Sequence, residues 1–329
     1  MKNYEQYLKE AGNVHLAYYI EAADILDIKY KILVYKLLAK FECEDKVWYI
    51  INTATPLTNS PSSTIAKRKH LSNLVLEEAG LPVPKQVPLN SPIDTIKFFD
   101  TYNKRVVIKP AQQLGGIGIT ILPNTENEAI KAFEIAKEKN RSNGNTQVLG
   151  EEFIDGENYR LLVVGKEVVG AVRRKAAHVT GNGQHTIQEL IDITNEKRKR
   201  DILKPIAIDN EVDLRLRELN MTFDSILPLN QELKLRYSCN LTTGGTTQEC
   251  MAEVGDYYKD IAVRAVWALG MEFGGVDIIT PDISNEAECG INEINYNPGL
   301  RLHYKVDEGE VVKVAVPIMR YIKQKYLNS

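Results

Sequence analysis

The sequence predicts a mixed α/β or α+β fold. Three observations carry that expectation. Strand-like runs follow one another directly and are joined by two-residue turns, Asp155-Gly156 and Gly165-Lys166. Helical stretches with capping signals are interleaved among them. The uniform strand–helix alternation of a doubly wound parallel sheet is missing from the C-terminal two-thirds.

In chain order, helical periodicity begins after Asn13, with Leu16, Ile20 and Ala23 on one face. Lys31–Tyr35 and Val47–Ile51 are rich in β-branched and aromatic residues and predict two strands, so residues 1–61 form a small α/β unit. Ser62 or Ser63 offers an N-cap to a helix ending at Ala79, where Gly80 and Pro82 stop it. Ser91-Pro92 opens another helix. Arg105–Pro110 predicts a strand with Gly118–Leu122 as its partner, and Thr125 with Glu128 caps a helix to about Lys139. Asn140–Thr146 is a turn. Val148–Ile154, Tyr159–Val164 and Glu167–Val172 predict successive strands. Residues from about 176 to 238 form an insertion with helices of its own, marked by a Thr186/Glu189 capping box and a helix near Asp209–Leu219. A helix over Gly255–Leu269, strands over Gly275–Thr280 and Glu288–Asn295, and a last helix toward Tyr326 complete the chain.

Composition narrows the function. The 329 residues hold 41 basic and 44 acidic side chains, a formal charge of −3, with 43% hydrophobic residues. That balance favours metabolites or proteins as partners over nucleic acid or a membrane surface. The four cysteines have no C-x-x-C spacing and make no disulfide framework, so a reduced, cytoplasmic setting is expected. Residues 1–12 lack the apolar core of a signal peptide, and no run approaches a membrane span.

Three constellations carry chemistry. Lys109 ends an apolar strand, and Gly115, Gly116 and Gly118 follow in a loop. Glycines let backbone N–H groups approach phosphate oxygens while lysine supplies a point charge. The loop lacks the Walker pattern, and a hairpin whose glycines serve only the turn has the same sequence signature. Asp277 sits inside an apolar strand, and Glu293 and Asn295, two apart, share one face of another. Two carboxylates and an amide oxygen form an oxygen ligand set suited to magnesium shared with substrate phosphates; the alternative is that each faces solvent. Gly299 and Arg301 follow Asn297-Pro298 in a turn that can aim N–H groups and a guanidinium at an oxyanion or carboxylate, or serve as a plain turn.

In order, these pieces resemble the ATP-grasp family, most closely the ATP-grasp part of cyanophycin synthetases and next that of bifunctional glutathione synthetases. The resemblance lies on residues 66–84, 107–120, 151–165, 177–190, 240–246, 274–278 and 292–309. It implies two α+β subdomains gripping ATP over residues 62–329, with a lid at about 100–155, behind the unit formed by residues 1–61. It implies that Lys69 and Lys109 bind ATP phosphates and that the glycines form a lid loop. Glu151 and the backbone near Phe153 would meet adenine, and Asn158 stands at the ribose-binding position, where the family commonly has an acid. Asp277, Glu293 and Asn295 would hold two magnesium ions, with manganese as the alternative. Arg160 and Arg174 would lie near the transferred phosphate and acyl group, with Gly299 and Arg301 on the acceptor side.

The activity implied is ADP-forming ligation of a carboxylate to an amine, each an amino acid or small peptide, through an acylphosphate. Modification of a peptide or protein, and nucleotide binding without catalysis, are the alternatives. A homo-oligomer is compatible with the sequence. Arg68 replaces the acid that usually precedes the first lysine. No counterpart of the second ligase half of cyanophycin synthetases is expected, and therefore a single ATP site.

Overall fold

The computed structural model describes residues 2–111, 118–141, 147–200, 203–237, 239 and 241–328. Gly115 and Gly116, and most of the turn at 140–146, lie outside the described residues.

The chain opens with two helices, α1 (Tyr4–Ala11) and α2 (Val14–Ile25), and an antiparallel meander of β1 (Lys29–Val34), β2 (Leu38–Cys43) and β3 (Lys46–Ile51). Asn3 and Gln6 form a capping box on α1, and the Asn13 side chain caps α2. The sequence pointed to one helix and two strands here. The additional α1 buries only Tyr7 and Ala11, and β2 alternates buried Ala39 and Phe41 with Lys40 and Glu42.

The expected helix from Ser62 to Ala79 is two helices, α3 (Ser60–Ala66) and α4 (Lys69–Glu78). Asn59, not Ser62, caps α3; the Ser62 hydroxyl is buried and donates to the Gly270 carbonyl at 3.0 Å. Arg68 is extended, and this break makes Lys69 the first residue of α4.

The next sheet contains β4 (Gln86–Leu89), β5 (Val106–Pro110), β6 (Thr120–Ile121) and β7 (Val148–Glu152) in the order β4-β7-β5-β6. Two helices, α5 (Pro92–Thr101) and α6 (Glu126–Arg141), share a core with it that includes Phe98, Phe99, Ile108 and Phe133.

The largest sheet follows the turn at Gly156. It begins with β8 (Glu157–Val164) and β9 (Glu167–Lys175). The insertion comes next, with β10 (His178–Thr180), α7 (Ile187–Arg200), α8 (Asn210–Glu218) and β11 (Glu232–Lys234) around a core of its own that includes Ile187, Leu216 and Leu235. Thr186 and Glu189 exchange the expected capping-box hydrogen bonds. The chain then adds β12 (Thr246–Glu249), α9 (Asp256–Ala268), β13 (Phe273–Thr280), β14 (Gly290–Asn295), α10 (Arg301–Tyr304) and α11 (Ala315–Leu327). The sheet order is β12-β9-β8-β13-β14, antiparallel throughout. Gly156 has φ +139°, and a Cβ there would lie 2.3 Å from the Thr280 backbone, so only glycine fits between β7 and β8.

One face of the large sheet packs on α9 and α4 through Tyr159, Leu161, Val276, Ile278 and Ile294. The other face contributes Leu162 and Val164 to a core shared by α1, α2, β2, β3 and α11. No helix among the described residues is long and apolar enough to cross a membrane.

Candidate active site

Strand periodicity decides which side chains meet. On β8, the apolar Tyr159, Leu161 and Val163 point to the α9 side, so the intervening Asn158 and Arg160 point to the other. Arg160 is directly opposite Asp277 on β13, Asp277 is opposite Glu293 on β14, and Asn158 is opposite Arg174 on β9. Cross-strand partners share a face. Four adjacent strands therefore bring Arg174, Asn158, Arg160, Asp277 and Glu293 together.

Asp277 is 1% exposed. Arg160 grips it through Nε and through Nη2 at 3.0 Å, and Arg174 Nη2 donates to Asp277 Oδ2 at 2.6 Å. Burial opposes charge on Asp277, yet the two guanidiniums hold its carboxyl below the usual carboxylate range. Arg174 is oriented in turn by Asn158 Oδ1, which accepts from its Nε at 2.8 Å. Glu293 is exposed.

A bulge interrupts β14. Asp277 pairs with Glu293 and Ile278 with Ile291, leaving Asn292 without a partner on β13. Asn292 Oδ1 accepts a hydrogen bond from Lys69 Nζ at 2.7 Å. Lys69 Nζ is also 3.5 Å from Glu151 Oε2. Glu151, on β7, is buried against Lys109 of β5, and Gln86 of β4 donates to it at 3.0 Å. Burial opposes charge on this carboxyl too, but Lys109 and Lys69 hold it below the ordinary range; burial pushes the Lys109 ammonium down, and Glu151 partly restores it. Bulge residue Asn292 and its neighbour Glu293 thus connect two lysines from separate elements to the arginine–aspartate cluster.

These contacts locate the expected residues. Lys69, Lys109 and Glu151 meet in one cluster; Asn158, Arg160, Arg174 and Asp277 meet in the other, with Glu293 beside it. The Glu151 side chain is committed to the lysines, and the Phe153 N–H donates to the Arg105 carbonyl at 2.9 Å. Gly118 has φ +75° and packs against Lys139 and Pro110. Asn295, opposite Gly275, has a buried Nδ2 with no hydrogen-bond partner. Gly299 lies in the turn that leads into α10, and Arg301 is the first residue of that helix; Pro298 in the turn approaches Gly275 and Arg160, since a Cβ on Gly275 would be 3.0 Å from Pro298 Cβ and 2.9 Å from Arg160 Cδ.

The donor chemistry fits a hard divalent cation. Asp277 and Glu293 supply carboxylate oxygens from paired strands, and the Asn295 amide, unsatisfied as it stands, can turn its oxygen toward an ion. No cluster of three His, Cys, Asp or Glu side chains occurs among the described residues, so an ion here would complete its shell with phosphate and water. Gln86 and Asn292 contact these clusters and were not singled out by sequence reasoning. The only signal for Asn292 was its place beside Glu293 in the run Asn292-Glu293-Ile294-Asn295.

Comparison with known proteins gives a consistent set of relatives. The model of the RimK-like ATP-grasp domain matches residues 66–217. A cyanophycin synthetase from Crocosphaera subtropica is 33% identical over 271 residues, 78% of this chain and 30% of that protein. A bifunctional glutathione biosynthesis protein GshAB from Listeria welshimeri is 32% identical over 293 residues, 86% of this chain and 37% of that protein. The crystal structure of a bifunctional glutathione synthetase from Pasteurella multocida superposes with a TM-score of 0.67 at 28% identity, covering 94% of this chain and 44% of that one. The chain thus spans about a third of the length of these curated relatives.

Proposed function

This chain belongs to the ATP-grasp superfamily, and from that premise we propose that it is an ATP-dependent ligase joining a carboxylate to an amine, each from an amino acid or small peptide, with release of ADP and phosphate. The observation that carries the proposal is the convergence of Lys69 and Lys109 on Glu151, linked through Asn292 and Glu293 to Asp277 between two arginines.

In this reading Lys69 and Lys109 bind the β- and γ-phosphates of ATP. Lys69 begins a helix, where a cation is disfavoured unless an anion sits nearby, and Glu151 or a phosphate provides one. Residues 112–118, including Gly115, Gly116 and Gly118, cover the phosphates, the strand at Glu151 and Phe153 borders the adenine, and Asn158 lies toward the ribose. Asp277, Glu293 and Asn295 would hold magnesium, two ions in all, with manganese as the alternative. Bound there, the metal would neutralise phosphate charge and draw the phosphates into line.

The substrate carboxylate attacks the γ-phosphorus, and the γ-phosphate's bond to the ADP oxygen breaks. The amine then adds to the acylphosphate carbon, loses a proton, and expels phosphate. Arg160 and Arg174 are placed to stabilise the transferring phosphoryl and acyl oxygens, and the Gly299–Arg301 turn faces the acceptor. Exclusion of water by the covering loop protects the acylphosphate. A cytoplasmic setting belongs to the same proposal and is supported by four free thiols.

The test is ADP release from the purified protein with ATP, magnesium and pooled amino acids and dipeptides, with products identified by mass spectrometry. A new amide formed in step with ADP is the expected result. ADP released without any new amide, or no turnover with the whole pool, would overturn it.

A further inference from the structure

None of the roles assigned above falls on residues 1–61, yet this unit reaches the acceptor side of the site. The Leu300 N–H, in the turn between Gly299 and Arg301, donates to Nδ1 of His15 at 3.3 Å. The His15 ring lies against Gly299, since a Cβ there would be 3.4 Å from His15 Cε1. One turn further along α2, the Tyr18 ring stacks on Tyr304 of α10 with centroids 3.7 Å apart and planes within 13°, and Tyr4 of α1 stacks on Tyr18 at 5.4 Å. Leu300 itself is fully buried in the core that holds Leu16, Tyr19 and Ile20. The same turn meets the catalytic sheet on its other side, where Pro298 packs at Gly275 beside Arg160.

An imidazole that accepts at Nδ1 carries its proton on Nε2 and must be neutral. Burial and the nearby Arg301 guanidinium both push His15 toward that form. The turn enters α10 at Arg301, with Leu300 as the N-cap of that helix, and His15 of α2 is the side chain that receives the Leu300 N–H.

We propose that His15 is a positioning residue for ligation: by accepting the Leu300 N–H it fixes the turn from Asn297 to Arg301, so that α2 completes the acceptor side of the active site. This rests on the ligase reading of that turn. Gly299 and Arg301 face the amine only while the turn keeps its position, so loss of the bond acts on acceptance of the amine and not on formation of the acylphosphate.

The experiment compares wild type, His15→Ala and His15→Asn in three measurements. The first is amide formation from ATP and a mixture of the common amino acids. The second replaces the amine with hydroxylamine, which is small enough to trap the acylphosphate without help from the turn. The third is hydrogen exchange at the Leu300 amide. His15→Ala is expected to raise the KM for the amine roughly tenfold, leave hydroxamate formation and the KM for ATP within about twofold, and speed exchange at Leu300. His15→Asn, whose side-chain oxygen can stand near the place of Nδ1, is expected to restore both amine KM and exchange. Unchanged Leu300 exchange in His15→Ala would overturn the proposal, as would hydroxamate and amide formation falling in proportion, or an Asn variant no better than Ala. Absence of hydroxamate from wild type would overturn the ligase reading instead, and the exchange comparison would still decide whether His15 holds the turn.

Discussion

At the scale of single residues, two carboxylates that face each other across a strand pair live in different surroundings. Asp277 is buried between Arg160 and Arg174, whereas Glu293 is exposed. Their removal therefore separates function from stability. Glu293→Ala is expected to abolish magnesium-dependent ligation while leaving Tm unchanged; a folded variant with near wild-type turnover would remove Glu293 from the metal set. Asp277→Asn should abolish ligation and also destabilise the fold by roughly 3–5 kcal/mol, because two guanidiniums lose a buried counter-charge. The effect has a defined pH dependence. The two arginines hold the Asp277 carboxyl below its ordinary range, so its contribution to stability is complete above that range and is lost as pH falls through the folded-state value. The stability gap between wild type and Asp277→Asn, measured by urea unfolding, should be constant near neutrality and shrink below about pH 4. A gap that does not vary with pH would mean that Asp277 is not the charged partner of these arginines.

At the scale of elements, β13 and β14 do the arranging. The bulge at Asn292 lets consecutive residues serve two clusters, and Gly275 leaves space for Arg160 and Pro298 to approach the sheet. Gly275→Ala puts a methyl group 2.9 Å from Arg160 Cδ and must displace it. Turnover should fall at least about tenfold for a modest loss of Tm, as expected when overpacking disturbs a catalytic side chain; full activity would show that Arg160 need not sit where it does. The site strands were legible because each is an apolar run with a charged residue set inside it, as Asp277 is between Val276 and Ile278. Other features carried no such contrast. The residues of β12, Thr246–Glu249, are all polar and are recruited by pairing with β9. The break between α3 and α4 falls at Lys67-Arg68, residue types that suit a helix interior, so tertiary contacts decide it. The Lys69–Asn292 bond joins residues 223 apart, and the bulge depends on pairing that local sequence does not encode. The lysines and the acids set in apolar strands could thus be singled out from the sequence, but the partnership of Glu151 with both lysines could not.

At the scale of the whole molecule, Lys69, Lys109, Glu151, Arg160, Arg174 and Asp277 make up the one site to which ATP is assigned above. The purified chain is accordingly expected to form one kind of amide bond per substrate pair. Given ATP, magnesium, aspartate, arginine and a short primer, it should yield single additions; a mass ladder growing by aspartate plus arginine would show two ligations at one site. A different consequence follows from the core that α2 shares with α11. Trp48 packs on Tyr326 with centroids 5.3 Å apart, Lys313 pairs with Glu21 at 2.7 Å, and Lys323 donates to the Leu26 carbonyl at 3.0 Å. The hydrophobic surface of α2 is thus closed by a helix that begins 290 residues further along the chain, from Ile25 to Ala315. At about 5–20 residues per second, the nascent chain waits roughly 15–60 seconds with that surface open. Through that interval Leu16, Tyr19, Ile20 and Trp48 are apolar groups on offer to chaperones or to a neighbouring nascent chain, and the yield of folded protein depends on how quickly α11 emerges.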